Sequence, residues 1–406
     1  MKISIIGSRG IPAKYGGFET FTEIVSSELA KKGHNIYVSC EHSKEKKDQY
    51  KGVNLFYFPM KPPKNPLLRI IYEFMYDGYS LLWASIRTDY VYMLGYSAAM
   101  LFFIPRLFGK QLLINPDGME WKRNKFNPLI KSLLKLSERI AIFWSNTVIA
   151  DSEEIKKYLD AKYNINSVFI PYGASSIKEV KWESKKLPEN LKHININPSY
   201  YLVVARLEPE NNIDKIIKGY LMSKTEIPLI VVGNFADPNY KSLINDMVDK
   251  SPKGKKVIFA GAIYNYELLN MLRQNCKAYI HGHSVGGTNP SLLEGMISKN
   301  LIIAHNNVFN AEVCGDNAIY FEDAHELSEK FEFIENNYIN YSELKNGVYD
   351  RARIAYTWPR VINQYNIVFS QLSDVISTFD KLDTENKKLM ESMHGSSRLK
   401  KEPLNQ

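Results

Sequence analysis

The sequence predicts an α/β protein built from two doubly wound domains in series. Short β-rich runs alternate with helical patterns in both halves of the chain, and strand–helix–strand alternation produces a parallel sheet. One proline-containing segment of mixed charge interrupts the alternation near the middle. A chain of 406 residues is also too long for one ordinary core, so we expect two domains of similar size.

The first domain is expected to span residues 1–177. Apolar and β-branched runs predict strands at Ile3–Gly7, Asn35–Ser39, Val53–Phe58, Tyr90–Leu94, Gln111–Ile114, Thr147–Ala150 and Ser167–Ile170. Between the first two lies a predicted helix, Phe18–Lys32, whose apolar side chains recur at helical spacing and which Gly33 ends.

The alternation restarts after a predicted linker at residues 178–198. The second domain, residues 199–358, is expected to contain strands at Tyr201–Ala205, Leu229–Gly233, Val257–Ala260, Ala278–His281 and Leu301–Ala304. A last helix is predicted at residues 359–380. Residues 381–406 are polar and poor in aromatic side chains, which predicts disorder.

The charge of the chain lies in the first domain. Residues 1–177 contain 24 Lys and Arg against 16 Asp and Glu, and the remainder contains 28 of each. This asymmetry predicts a surface that faces an anionic partner, with a merely solvated face as the alternative. An anionic membrane or a phosphorylated lipid fits, whereas no nucleic-acid motif accompanies the charge, so we expect no nucleic-acid partner. Pro66–Ile86 and Lys122–Arg139 are candidate membrane-facing helices, and each is equally compatible with a core helix.

The cysteines and the hydropathy pattern favour a cytoplasmic protein. Cys40, Cys276 and Cys314 lie far apart without metal-ligand spacing, so neither a zinc site nor a disulfide framework is expected. The apolar run at the N-terminus is too short for the core of a signal peptide. No uncharged stretch reaches the ~18–20 residues of a transmembrane helix.

The loop after the first strand, residues 7–17, predicts an anion site. Ligand-binding residues of open parallel sheets follow the carboxyl ends of strands. The loop is rich in glycine and opens a helix whose free N–H groups suit an anion. It matches neither the dinucleotide fingerprint nor the P-loop, and a purely structural turn is the alternative. Its candidate contact residues are Arg9, Lys14, Tyr15, Gly16 and Gly17.

The loop Asn115–Arg123 follows another predicted strand and carries candidate catalytic carboxylates. Asp117 and Glu120 should lie at the edge of the cleft between the domains, beside Trp121. A carboxylate there can orient or deprotonate a hydroxyl group, although Asp-Gly pairs also form ordinary turns.

Arg206 comes directly after the first strand of the second domain. As a planar and permanently charged donor it is suited to a phosphate oxygen. Glu208 or Glu210 can pair with it and orient it, and an inconsequential surface ion pair is the alternative.

Residues 281–294 carry the strongest signal, an anion site with a ribose contact. Asn289 is predicted to cap a helix whose first residue is Pro290. Glu294, little more than one turn into that helix, can accept hydrogen bonds from ribose hydroxyls. His283 is expected to line the site as a polar group, because no carboxylate stands at metal-ligand spacing. The backbone N–H groups expected to face the anion belong to Gly286, Gly287 and Thr288.

Together with Ala150-Asp151-Ser152 and Pro171-Tyr172-Gly173-Ala174, these segments resemble family 4 of the retaining GT-B-fold glycosyltransferases, over residues 1 to about 375. The glycine-rich loop, Asn115–Arg123 and Gly286–Glu294 look like the branch that contains bacterial β-1,4-rhamnosyltransferases of capsule and polysaccharide assembly. Tyr356-Thr357-Trp358 is similar to the family's crossover, where the C-terminal helix packs back on the first domain.

The resemblance implies two Rossmann-like domains that face a central cleft, and a sugar transfer without metal or cofactor. The implied donor is dTDP-L-rhamnose, and the implied acceptor is a polyprenyl-diphosphate-linked saccharide at the cytoplasmic face of the membrane. The implied catalytic residues are Asp117, Arg206 and Glu294. The predicted donor-side residues are Gly16, Gly17, Arg206, Glu208, His283, Gly286, Gly287, Thr288, Asn289 and Glu294. The predicted acceptor-side residues are Arg9, Lys14, Tyr15, Glu120 and Trp121.

Two positions depart from the family's pattern. In the family's Glu-x7-Glu signature the second glutamate corresponds to Glu294, whereas the position of the first is occupied by Gly286. The family usually has a basic residue downstream of the diphosphate-binding arginine, and that position is occupied here by Asn211. A transferase for another nucleotide sugar, a nucleotide-sugar 2-epimerase and a non-catalytic sugar-nucleotide-binding protein remain alternatives.

Overall fold

The computed structural model describes residues 1–13, 16–123, 126–175, 177, 179–183, 186–192, 200–336 and 341–370. The predicted site residues Lys14 and Tyr15 lie outside these ranges. The predicted tail, residues 381–406, and the last part of the predicted final helix also lie outside them.

The first domain contains a sheet of eight strands. They are β1 (Lys2–Ile6), β2 (Asn35–Cys40), β3 (Gln49–Tyr50), β4 (Val53–Tyr57), β5 (Tyr90–Leu94), β6 (Gln111–Asn115), β7 (Thr147–Ala150) and β8 (Val168–Phe169). Their order is β3-β4-β2-β1-β5-β6-β7-β8, and every pair is parallel except β3 with β4. The two-residue β3 was not predicted, because so short a strand carries no periodicity.

Helices cover both faces of this sheet. They are α1 (Gly17–Lys31), α2 (Pro66–Arg87), α3 (Phe103–Leu107), α4 (Pro128–Trp144) and α5 (Glu153–Tyr163). α1 packs into one core with the side chains of Ile3 and Ile5. Residues of α2, α4 and α5 pack into a second core with Ile6 and Met93, which point to the opposite face.

The second domain repeats this plan with a six-stranded, wholly parallel sheet ordered β11-β10-β9-β12-β13-β14. Its strands are β9 (Tyr201–Val204), β10 (Leu229–Val232), β11 (Val257–Gly261), β12 (Ala278–His281), β13 (Ile302–His305) and β14 (Ile319–Phe321). The helices are α6 (Glu189–Lys192), α7 (Ile213–Met222), α8 (Pro238–Asp249), α9 (Tyr266–Gln274), α10 (Pro290–Ile297), α11 (Val308–Cys314), α12 (Ala324–Asn336) and α13 (Ser342–Ala355). Every predicted strand overlaps an observed one, and the predicted fold class of two doubly wound α/β domains is confirmed.

The last described helix, α14 (Trp358–Ser370), lies against the first domain. The hydroxyl groups of Tyr365 and Tyr92 are 2.8 Å apart, and Asn366 Oδ1 is 2.8 Å from the ring of His34. Because Tyr92 is in β5 and α14 follows the second domain, the chain crosses between the domains twice.

Candidate active site

Loops from both domains meet where their strands end. A β-carbon at Gly118, after β6, would lie 3.2 Å from Cα of Gly286, after β12. The Thr288 hydroxyl donates a hydrogen bond to the carbonyl of Asp151, after β7. The carboxyl edges of the two sheets therefore face each other across one cleft. Ligands of open parallel sheets bind at such edges.

The N-termini of α1 and α10 lie side by side in this cleft. A β-carbon at Gly17, the first residue of α1, would be 3.6 Å from Cγ of Pro290, the first residue of α10. The predicted cap of α10 is confirmed, because Asn289 Oδ1 accepts a 2.9 Å hydrogen bond from the N–H of Ser291. Two helix N-termini at one point create a positive potential that favours an anion.

The glycines before α10 allow the close approach of the first domain. Gly286 has φ +120°, a conformation that disfavours other residues. Any side chain at Gly287 would overlap the carboxylate of Asp151. That carboxyl group is buried, and burial, followed by the negative charges of Asp117 and Glu312, raises its pKa well above the ordinary value.

Asp117 lies next to this contact, and it has a left-handed backbone conformation and a raised pKa. Its φ is +53°, and its N–H donates a 2.9 Å hydrogen bond to Asn115 Oδ1. Burial and the nearby Glu120 raise the pKa of its carboxyl group to about 7, against the lowering effect of Arg123 and Arg206. A carboxyl group that titrates near neutrality is suited to hydrogen-bond or accept a proton from a hydroxyl.

Two arginines, one from each domain, reach this region. Arg206 has 62% of its side chain exposed and lies 3.4 Å from the predicted partner, Glu208 Oε1. Arg123 forms a 2.5 Å ion pair with Glu120. Both arginines lower the pKa of Asp117 and of His283, so their charges act on the same two side chains. Arg123 was not among the predicted site residues, because a basic residue in a loop carries no specific sequence signal.

Trp121 is held in place by contacts with α4 of the same domain. Its indole N–H donates a 3.1 Å hydrogen bond to the buried carboxylate of Glu138, and the amino group of Lys135 lies 4.5 Å from its ring centre. Glu138 also accepts hydrogen bonds from Tyr158 and Tyr163. These contacts fasten the loop that carries Asp117. A contact between Trp121 and an acceptor stays a prediction.

Glu294 is paired with a buried arginine. Arg273 of α9 has a side chain that is 1% exposed, and its guanidinium contacts the Glu294 carboxylate. The second described partner of that guanidinium is Asn270 Oδ1, at 3.4 Å. This ion pair fixes the orientation of the Glu294 carboxylate, and about a quarter of the Glu294 side chain stays exposed. Arg273 was not predicted as a site residue, because it reads as one residue of an amphipathic helix.

The glycine-rich loop after β1 is fastened by carboxylates of α1. Glu19 accepts hydrogen bonds from the N–H groups of Arg9, at 3.2 Å, and Gly16, at 3.0 Å. Glu23 accepts a 2.7 Å hydrogen bond from the N–H of Ala13. These hydrogen bonds hold the backbone of Arg9, Ala13 and Gly16 close to the start of α1. The side chain of Arg9 is exposed.

Burial favours the uncharged form of two histidines, His281 at the end of β12 and His283 just after it. Burial, followed by the charges of Arg123 and Arg206, lowers the pKa of His283 to about 4. Burial also lowers the pKa of His281 well below its ordinary value. Within the described ranges, no three His, Cys, Asp or Glu side chains are placed to hold a metal ion.

Two family models match the chain. Residues 1–175 match a domain of unknown function (DUF1972), and residues 188–351 match the glycosyl transferases group 1. No curated protein matches the chain in sequence.

Several solved structures share the fold. Sucrose-phosphate synthase from Thermosynechococcus elongatus has a TM-score of 0.73 at 15% identity, covering 91% of this chain and 98% of that chain. Anabaena HepE in complex with UDP-glucose has a TM-score of 0.69 at 13% identity, covering 91% of this chain and 100% of that chain. The catalytic domain of starch synthase IV from Arabidopsis thaliana, bound to ADP and acarbose, has a TM-score of 0.63 at 13% identity, covering 93% and 99%.

Proposed function

We propose that the chain is a group 1 glycosyltransferase of the GT-B fold that transfers L-rhamnose from dTDP-L-rhamnose to a lipid-diphosphate-linked saccharide. The structures of HepE and of starch synthase IV contain UDP-glucose and ADP, which supports a nucleotide sugar as the donor. The choice of rhamnose and of the lipid-linked acceptor is supported by the resemblance of the glycine-rich loop, Asn115–Arg123 and Gly286–Glu294 to the rhamnosyltransferase branch.

One observation carries the proposal: the side-by-side N-termini of α1 and α10. A diphosphate placed at the paired N-termini of α1 and α10 would receive backbone N–H groups from both helices. Arg206 at the edge of the same cleft adds a permanent charge. Arg123 supplies the second cation, which the family places at the position of Asn211.

The nucleoside end is assigned to Glu294. Its carboxylate is held by buried Arg273, so it keeps one orientation at the first turns of α10. A carboxylate so placed accepts hydrogen bonds from the hydroxyl groups of a ribose or deoxyribose that is attached to the diphosphate. The donor would then extend from Glu294, past Gly286–Thr288, to Asp117.

In the proposed reaction the bond between the anomeric carbon and the diphosphate oxygen breaks, and the acceptor oxygen bonds to that carbon with retained configuration. The proton of the acceptor hydroxyl passes to the departing phosphate oxygen. Arg206, Arg123 and the helix N-termini stabilise the negative charge that develops on the diphosphate. Asp117 accepts a hydrogen bond from the acceptor hydroxyl and orients it.

The first domain offers a surface for the membrane that would hold such an acceptor. α2 packs against α3, and α4 packs against the turn that precedes α3, so both helices lie on the same face of the sheet. No helix in the described ranges is long and apolar enough to cross a bilayer. Large apolar side chains are nevertheless exposed on α2 and α4, among them Ile70, Ile71, Phe74, Leu129, Leu133, Leu136 and Phe143. Exposed apolar groups on a domain with a net positive charge suit the surface of an anionic bilayer.

The test is a panel of dTDP-L-rhamnose, UDP-glucose and ADP-glucose with a synthetic lipid-diphosphate glucose, analysed by mass spectrometry. We expect the acceptor to gain one deoxyhexose from dTDP-L-rhamnose. Conversion of a donor without acceptor would instead identify an epimerase. Tight donor binding without any product, with membranes supplied, would identify a binding protein.

A further inference from the structure

The two departures from the family's pattern meet on one side chain, that of His283. Asn211, at the position of the usual basic residue, places Oδ1 2.6 Å from Nδ1 of His283. Gly286, at the position of the usual first glutamate, lies on the other side of the ring, where a β-carbon would be 3.2 Å from Nε2. The imidazole therefore fills the space between both altered positions.

The hydrogen bonds of Asn211 determine the tautomer of His283. Asn211 Nδ2 donates a 2.7 Å hydrogen bond to the carbonyl of Arg206, which is only an acceptor. Because this contact commits the amide nitrogen, Oδ1 is the atom that faces His283. Nδ1 must therefore carry the proton, and Nε2 presents a lone pair toward Gly286.

The surroundings keep the imidazole uncharged. Burial, followed by the charges of Arg123 and Arg206, lowers the pKa of His283 to about 4, against the raising effect of the backbone of Val285. Nε2 is therefore an acceptor and not a donor at neutral pH.

The lone pair faces the part of the cleft through which a transferred sugar would pass. Gly286 lies next to Gly118, which follows Asp117 in the first domain, and it belongs to the loop that leads into α10. A sugar between the diphosphate and an acceptor held by Asp117 would therefore lie beside Nε2. Because Gly286 has no side chain, no β-carbon covers this nitrogen on that side.

We propose that Nε2 of His283 accepts a hydrogen bond from a hydroxyl group of the donor sugar, in place of the carboxylate that the family carries at position 286. His283 is then a specificity-determining residue, and Asn211 is the residue that positions it. The inference rests on the proposed function. It implies that the sugar is uncharged and that one of its hydroxyl groups donates a hydrogen bond to the neutral imidazole.

The test compares binding of dTDP-L-rhamnose with binding of dTDP, by isothermal titration calorimetry, for the wild type, His283→Ala and His283→Gln. We expect His283→Ala to weaken binding of dTDP-L-rhamnose by about 5- to 10-fold, which lies within the range of one neutral hydrogen bond, and to change binding of dTDP less than about twofold. His283→Gln, which retains an acceptor, should recover part of the loss. His325→Ala, at an exposed histidine of α12, is the matched control and should leave both affinities unchanged.

Equal loss of dTDP and dTDP-L-rhamnose affinity in His283→Ala would overturn the inference, because it would place the residue at the nucleotide or in the fold. An unchanged preference for the sugar would also overturn it. A wild type that binds neither dTDP-L-rhamnose nor UDP-glucose would refute the proposed function first, and this inference with it. A wild type that transfers sugar while His283→Ala is indistinguishable from it refutes the inference alone.

Discussion

The carboxylate of Glu312, in the second domain, accepts a 2.7 Å hydrogen bond from the hydroxyl of Ser152, in the first. It also accepts hydrogen bonds from the N–H groups of Glu153, at 2.8 Å, and Glu154, at 3.2 Å, and so caps the N-terminus of α5. The adjacent Asp151 carbonyl receives the Thr288 hydroxyl from the anion site. Contacts that hold the domains together therefore adjoin contacts that shape the donor site.

We expect Glu312→Ala to destabilise the chain and to weaken its use of the donor. Loss of a capping carboxylate removes about 1–2 kcal/mol from the free energy of unfolding, measured with urea. The KM for the donor should rise, because the cleft is then closed by fewer contacts. Glu329→Ala, at an exposed glutamate of α12, is the control. A Glu312→Ala variant that behaved like this control would show that the cap has no part in closure.

The raised pKa of Asp117 predicts a pH dependence of transfer. Because the carboxyl group is protonated below about 7 and ionised above, kcat/KM should rise across that pH if the ionised form orients the acceptor. Asp117→Asn should lose activity and also the rise. A rise that persists in Asp117→Asn would assign it to another group.

The same pKa predicts that Asp117 costs folding stability at alkaline pH. Its folded pKa lies above the unfolded value of about 3.9, so the folded state binds more protons and its stability falls as pH rises between those values. Asp117→Asn should therefore raise the Tm above pH 7, with a gain that shrinks toward about pH 4. Thermal melts at both ends of this range measure it. Equal melting shifts at both ends would contradict the assigned pKa.

The ion pair of Arg273 and Glu294 predicts that variants can change folding stability and nucleotide binding independently. Glu294→Leu leaves a buried charge without its partner and should cost about 3–5 kcal/mol. Arg273→Met should cost less, because it leaves only the more exposed carboxylate. The double variant should recover stability in urea unfolding but not affinity for dTDP. Recovery of both would show that Glu294 does not contact the ribose.

The exposed faces of α2 and α4 predict binding to anionic vesicles. Ile70→Asp and Leu133→Asp should each reduce co-sedimentation with phosphatidylglycerol vesicles by about tenfold or more, since each removes a large apolar side chain from the bilayer surface. Leu243→Asp, at a leucine of α8 in the second domain that is about half exposed, should bind like the wild type. Equal binding by all three variants would place the membrane surface elsewhere.

Local signals made much of this fold predictable. Asn289 and Pro290 identify the start of α10 because a cap and a first-turn proline act through neighbouring residues. The contacts that residues of the site make with distant parts of the chain were harder to predict. Glu312 and Ser152 are 160 residues apart, and nothing near either residue indicates the other. Arg273 fits an amphipathic helix, and only the tertiary structure shows that its charge is buried beneath Glu294.

The role of Arg206 is the most direct test of the account. Sugar transfer by Arg206→Ala should be compared with that by Arg353→Ala, which removes an arginine of similar exposure that is paired with Asp350 on α13. We predict a loss in turnover of roughly 10²-fold or more for Arg206→Ala, the cost of deleting one charge-stabilising donor, and none for Arg353→Ala. Near-normal transfer by Arg206→Ala would contradict the assignment of the diphosphate to this cleft.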